Sequence, residues 1–114
     1  MSDTIKNVED RNGVIIISTS GYFNNIAGDA VLDVFTEKMN EGSTNFLIDM
    51  ADSKVVNSIG VSILIEIIEK LQDDDGRLGY YNLAPIVEKT FNIMGLTKYS
   101  TVFQSEEEAL GGMS

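Results

Sequence analysis

The chain alternates between two hydrophobic periods. Gly13 to Ser20 contains Val14-Ile15-Ile16-Ile17, a β-branched run too short for a helix and suited to a strand. Thr4 to Glu9 alternates weakly through Ile5 and Val8, and Asn12-Gly13 between the two segments is a hairpin signal. Gly21 ends the second strand. From Ala27 to Asn40 the spacing becomes helical: Ala27, Val31, Val34, Phe35 and Met39 share one side, while Asp29, Asp33, Glu37 and Asn40 fall largely opposite. Asn25 is the predicted N-cap of this helix and Gly42 its stop. Asn45 to Met50 reads as a short buried strand around Phe46-Leu47-Ile48, followed by a loop over 51–57.

The clearest helix runs from Ser58 to Gln72. At about 100° per residue, Ser58, Ser62, Glu66, Glu69 and Asp73 gather on one face, and Gly60, Ile63, Leu64, Ile67, Ile68 and Leu71 on the other. Asp73-Asp74-Asp75-Gly76 ends it in a charged turn. Leu78 to Asn82 is a further strand. Pro85 suits the first position of a helix whose apolar side is Ile86, Val87, Phe91 and Met94, closed by Gly95. Ser105-x-x-Glu108 is a capping box for a last helix. Residues 1–3 and 111–114 are expected to be frayed tails.

This order, β-β-α-β-α-β-α-(β)-α, predicts one α/β domain over residues 1–114. Its mixed sheet pairs parallel strands through right-handed crossovers and begins with an antiparallel hairpin. With 114 residues, 43% of them hydrophobic, the chain can build a core without a disulfide or metal staple. There is no cysteine to form a disulfide, no apolar run of membrane-spanning length, and no basic or apolar leader at the polar N-terminus. The cytoplasm is therefore the expected compartment.

Composition also bounds the chemistry. Without His or Cys, a Ser-His-Asp triad, a cysteine nucleophile and a His/Cys zinc site are impossible, and acid–base work would fall to Asp, Glu, Lys or Tyr. The net charge of −10 disfavours nucleic acid and anionic membranes and would steer a partner with a basic face toward the chain. Acidity also serves solubility alone. Composition thus weighs against ordinary hydrolase chemistry, and no cofactor or metal is expected.

Ser58 is the leading candidate residue. It falls at or next to the helix N-cap, where a hydroxyl accepts from orphan N–H groups and stabilises the helix by about 1 kcal/mol. It also projects on the polar face, within reach of a kinase, and a phosphate at a helix N-terminus is favoured by the dipole and the free N–H groups. Such a phosphate would add about −1.5 to −2 charge to an exposed patch. Ile65, about 20° from Ser58 on the helical wheel, and Ile59 at the other margin could form the apolar centre of a docking surface, or belong to a helix buried over a wide arc.

Asp49, at the end of a buried strand, admits two readings. It could cap loop N–H groups, or act as the phosphoacceptor of a response-regulator receiver with Mg²⁺ held by neighbouring acids. Gly21-Tyr22-Phe23-Asn24 supplies no acidic pair for the second reading, and Lys98 is poorly placed for it. A calcium loop at Asp73-Asp74-Asp75-Gly76 would put Leu71 and Asn82 where acids are needed, so that reading fails. The five methionines are scattered and read as core filler.

Taken together, the segments resemble the STAS domain of bacterial anti-sigma factor antagonists. The resemblance is carried by Gly13-Val14-Ile15-Ile16-Ile17 leading to Gly21, by Phe46-Leu47-Ile48-Asp49, and by Asn57-Ser58-Ile59-Gly60. Tyr81-Asn82-Leu83 with the Val87 to Phe91 helix, Met94-Gly95-Leu96, Val102-Phe103 and Glu107-Glu108-Ala109-Leu110 complete it. It implies a mixed sheet with helices mainly on one face. It also implies a partner-switching function: the unphosphorylated form binds an anti-sigma factor, a serine kinase of the GHKL ATPase type, and frees the sigma factor. Phosphorylation then releases the complex, and a serine phosphatase resets it.

On this resemblance the phosphoacceptor is Ser58, and Asn24, Asn57, Ser58, Ile59, Gly60, Ser62 and Ile65 are the partner-binding residues. Asp49 would organise the loop below the acceptor, and the chain would act as a monomer. Three positions depart from the family pattern. Asn57 stands where Asp usually precedes the acceptor, Ile59 where a small residue is common, and Ser62 where glycine is common. Ser62, one turn on, is a second candidate acceptor. A non-phosphorylated scaffold of the same fold is the alternative function.

Overall fold

The computed structural model describes residues 4–113. Strands β1 (Ile5–Arg11), β2 (Val14–Ser20), β3 (Asn45–Asp52), β4 (Arg77–Tyr81) and β5 (Thr101–Val102) form one sheet in sequence order. β1 pairs antiparallel with β2 through the Asn12-Gly13 turn, both of whose residues have positive φ, and the other pairings are parallel. Helices α1 (Asn25–Asn40), α2 (Ser58–Gln72), α3 (Pro85–Ile93) and α4 (Glu106–Met113) provide the cover, with a 3₁₀ turn at Leu96–Lys98. The predicted order of elements is the observed one. The receiver reading of Asp49 falls here, because that fold orders its strands 2-1-3-4-5 and this sheet runs β1 to β5 with an antiparallel edge.

Helices on both faces explain the apolar runs of β2 and β3. On one face Ile15, Ile17, Phe46, Ile48 and Met50 pack into the main core with Val31 and Phe35 of α1, Leu64, Ile67 and Ile68 of α2, and Val87 and Phe91 of α3. On the other face Val14, Ile16, Leu47 and Tyr81 meet Ala109 and Met113 of α4. Both faces of the central strands are covered, so the strands read as continuous apolar stretches rather than alternating ones. Phe35 and Phe46 lie 4.7 Å apart between ring centroids, and Tyr80 meets Phe91 edge-on at 4.9 Å.

Apart from shifts of one or two residues at strand ends, two boundaries differ from expectation. Asn24, not Asn25, is the N-cap of α1, its Oδ1 accepting from Ala27 N at 3.1 Å. Residues 111–113 are not a frayed tail but the last turn of α4. Met113 is buried, the Phe103 ring lies against Gly112, and Arg77 donates to the carbonyls of Gly112 (3.0 Å) and Met113 (2.9 Å). Those bonds satisfy acceptors that a helix end otherwise leaves open. The expectation of fraying at residues 1–3 and 114 lies outside the described residues. Ser105 caps the start of α4, with Glu108 N donating to its Oγ at 3.1 Å.

Candidate functional site

Two loops run side by side at the C-terminal ends of β2 and β3. Gly21 N donates to the Asp52 carbonyl (2.9 Å), Phe23 N to the Val55 carbonyl (2.8 Å), and Asn57 N to the Phe23 carbonyl (3.1 Å). Beneath them Thr19 and Ser53, both fully buried, share a 2.8 Å hydrogen bond between their hydroxyls. A buried hydroxyl pair is stable only while each satisfies the other, so the bond fixes the loop to the end of β2. The starts of α1 and α2 are thereby set next to each other.

Asparagine caps both helices. Asn57 Oδ1 accepts from Gly60 N at 2.8 Å, as Asn24 does for Ala27. Gly60 is buried where the Phe23–Asn24 backbone passes α2, and a Cβ there would come within 2.6 Å of the Phe23 carbonyl oxygen and 2.9 Å of that of Asn24. The glycine is required by this approach of two backbones.

Ser58 is the first residue of α2 and is exposed. The capping role open to it on spacing belongs to Asn57 instead, because Asn57 has the extended backbone of a cap. Among the described residues no hydrogen bond engages the Ser58 hydroxyl. Ser62 is also exposed, but its Oγ donates to the Ser58 carbonyl at 2.8 Å. Of the two candidate acceptors, then, Ser58 has the uncommitted hydroxyl, beside the first-turn N–H groups and at the positive end of the helix dipole.

Ile59 is 58% exposed beside Ser58. Ile65 is not part of that surface: it is half-buried against the main core and lines a groove of about 510 Å³ with Met94, Leu96 and Tyr99. Seven residues separate Ser58 from Ile65, so alignment on a wheel places them about 10 Å apart along the axis. Sequence reasoning missed three exposed apolar residues that the loops bring to the acceptor's side: Tyr22 (50%), Ile26 (61%) and Val55 (60%). A signal existed for Ile26, which lies off the Ala27-Val31-Phe35 stripe, but none marked Tyr22 and Val55, which sit in loops.

Asp49 alternates with Leu47 and so faces the α4 side of the sheet, away from α2. Its Oδ1 accepts from Ala51 N (3.0 Å) and from Asn82 Nδ2 (3.1 Å). It therefore organises the exit of β3 and ties it to Asn82, the residue after β4, which has a φ of 61°. Asp52 nearby pairs with Lys6 across the sheet edge. The hydrogen bond and charge of that ammonium hold the Asp52 carboxyl below its ordinary range, but both groups are solvent-exposed and the pair contributes little to stability. No group of three or more Asp or Glu suited to a metal ion occurs among the described residues, and no helix there is long and apolar enough to cross a membrane.

Residues 6–109 match the STAS domain family. The chain is 26% identical over 106 residues to the anti-sigma-F factor antagonist RsfB of Mycobacterium tuberculosis, covering 93% of this chain and 86% of that one. It superposes on the crystal structure of an anti-sigma factor antagonist from Mycobacterium paratuberculosis with a TM-score of 0.82 and 24% identity, over 99% and 97% of the two chains. The phosphorylated form of the Bacillus cell fate determinant SpoIIAA superposes with a TM-score of 0.74 and 20% identity, over 95% and 98%.

Proposed function

The chain belongs to the STAS domain family, and on that premise we propose that it is an anti-sigma factor antagonist switched by phosphorylation of Ser58. The single observation that carries this reading is the uncommitted, exposed Ser58 hydroxyl at the first position of α2, next to a cap that Asn57 makes without it. The names of the mycobacterial relatives, and a protein of the same fold known in a phosphorylated form, support it.

Unphosphorylated, the surface around Ser58 binds an anti-sigma factor that is itself a serine kinase, and the sigma factor is freed. Ser58 Oγ then attacks the γ-phosphorus of the ATP held by that kinase. The O–P bond forms, the bond to the β-phosphate oxygen breaks, ADP leaves, and the hydroxyl proton passes to a base of the kinase. The product carries about −1.5 to −2 charge at a point where the partner had met a neutral hydroxyl, and the complex dissociates. The first-turn N–H groups and the helix dipole stabilise the phosphate in place, so the domain stays folded in both states. A serine phosphatase resets it, and the domain itself performs no chemistry.

The test incubates the full chain with ATP and each serine-kinase anti-sigma factor of its source organism, followed by phosphosite mapping. Phosphate at Ser58, its loss in Ser58→Ala, and persistent kinase binding by that variant are the expected results. Phosphate at Ser62 or elsewhere with Ser58 clean would overturn the mechanism. Binding indifferent to both Ser58→Ala and Ser58→Asp would identify a constitutive scaffold.

A further inference from the structure

The chain carries 18 acidic residues among 114, yet none lies in Ser20 to Gly28 or in Ser53 to Ser62, the two stretches that build the acceptor surface. Neither α1 nor α2 has an acid in its first turn, where acids are usually favourable. Lys54 is the one charge in these stretches. Both helices are capped by the neutral amide of asparagine, and Asn57 forms its 2.8 Å bond to Gly60 N without bringing a charge next to Ser58. Four of the large apolar side chains that stand more than half or about half exposed, Tyr22, Ile26, Val55 and Ile59, come from these same stretches.

From this we infer that Asn57 is a specificity-determining residue: it keeps the Ser58 surface free of negative charge, so that it fits a partner whose contact patch is apolar and carries no cation opposite position 57. The inference rests on the switch reading above and names the partner chemistry it requires. An aspartate at 57 would cap the helix equally well, but buried against an apolar patch it would be a desolvated, unpaired carboxylate. The asparagine excludes partners that would read that charge with an Arg or Lys, and it favours those that would not. It also sharpens the switch, because the phosphate becomes the only negative charge on the patch. The acidic remainder of the surface acts at long range on the rate of encounter, and the acid-free patch governs the lifetime of the complex.

The experiment measures association and dissociation of the full chain with the kinase that phosphorylates it, from low salt to about 0.5 M. Wild type, Asn57→Asp and Ile59→Ala are compared, with Asn57→Asp checked by thermal melting for retention of fold. The expected result is an association rate that falls with salt, and a wild-type dissociation rate that changes less than about threefold. Asn57→Asp should dissociate at least about tenfold faster while melting no lower than wild type, and Ile59→Ala should also dissociate faster. A wild-type dissociation rate that rises steeply with salt, or an Asn57→Asp complex as long-lived as wild type, would overturn the inference and leave the switch standing. If no kinase binds either wild type or Ser58→Ala, the switch reading fails and this inference fails with it.

Discussion

Replacing Gly60 with alanine separates local propensity from tertiary constraint. In an ordinary helical site the change stabilises by about 0.5–1 kcal/mol, because glycine loses more backbone freedom on folding. At this position the new methyl carbon would stand 2.6 Å from the Phe23 carbonyl oxygen, 2.9 Å from that of Asn24 and 2.9 Å from Phe23 Cδ1. The first two are backbone atoms, so no rotamer change relieves them. The start of α2 must move off the 23–24 segment, straining the 3.1 Å bond from Asn57 N to the Phe23 carbonyl. Overpacking of this kind costs about 1–3 kcal/mol and the strained hydrogen bond about 1 more. Against the propensity gain, a net loss of about 1–3 kcal/mol is expected, lowering Tm by about 4 °C for each kcal/mol. Gly28→Ala is the internal control. Its nearest neighbour, at 2.6 Å, is Ile63 Cδ1, the end of a flexible side chain, and the next are Ile63 Cβ at 3.1 Å and the Gly60 carbonyl oxygen at 3.4 Å, so its cost should be smaller than that of Gly60→Ala. Urea unfolding followed by circular dichroism measures both. A Gly60→Ala protein as stable as wild type, or less damaged than Gly28→Ala, would refute the close crossing of the two helix starts.

Three further outcomes follow from the same geometry. Asn57→Ala should lose about 1 kcal/mol in urea unfolding, because Gly60 N loses its acceptor; no change would mean the cap is not formed in solution. Thr19→Val and Ser53→Ala should each cost about 1–3 kcal/mol by stranding the other hydroxyl in the core, and the double variant should cost less than the sum, as read in a double-mutant cycle. Burial pushes the phenols of Tyr80 and Tyr81 above their ordinary value of 10.0, with the Asp49 carboxylate adding to the effect at Tyr81. A raised folded-state value favours folding fully below the unfolded value and loses that contribution as pH rises above it. Alkaline unfolding is therefore expected to set in above pH 10.0, with a phase of phenolate absorbance that coincides with loss of circular dichroism. Complete phenolate formation in a still-folded chain would contradict it.

The elements were legible in the sequence because each was announced by a local cause. The Val14-Ile17 run, the 3.6-residue stripe of α2, Pro85 at the start of α3 and the Ser105–Glu108 box each act within a turn or two of chain. Ser58 was legible for the same reason, as a hydroxyl at a helix start. Its role there was not, since Asn57 and Ser58 are both good capping residues and only the backbone conformation decides which one caps. Ile65 was misplaced because a helical wheel keeps angle and discards distance along the axis. Asp49 was expected to organise the loop below the acceptor; its bonds run to Ala51 and Asn82 instead, because the side of the sheet it faces depends on strand register and on where the helices pack.

Sequence alone therefore determined the order of strands and helices, the exclusion of histidine and cysteine chemistry, and the placing of Ser58 at a helix start. Tertiary structure decided which surface that serine belongs to. The pairing of the 21–24 loop with the 52–57 loop brings Tyr22, Ile26 and Val55 to the side of Ile59, and it makes Gly60 indispensable. Those contacts join residues about thirty positions apart. No periodicity along the chain encodes them, because they arise from the parallel pairing of β2 with β3 and from the two buried hydroxyls that hold the loops together.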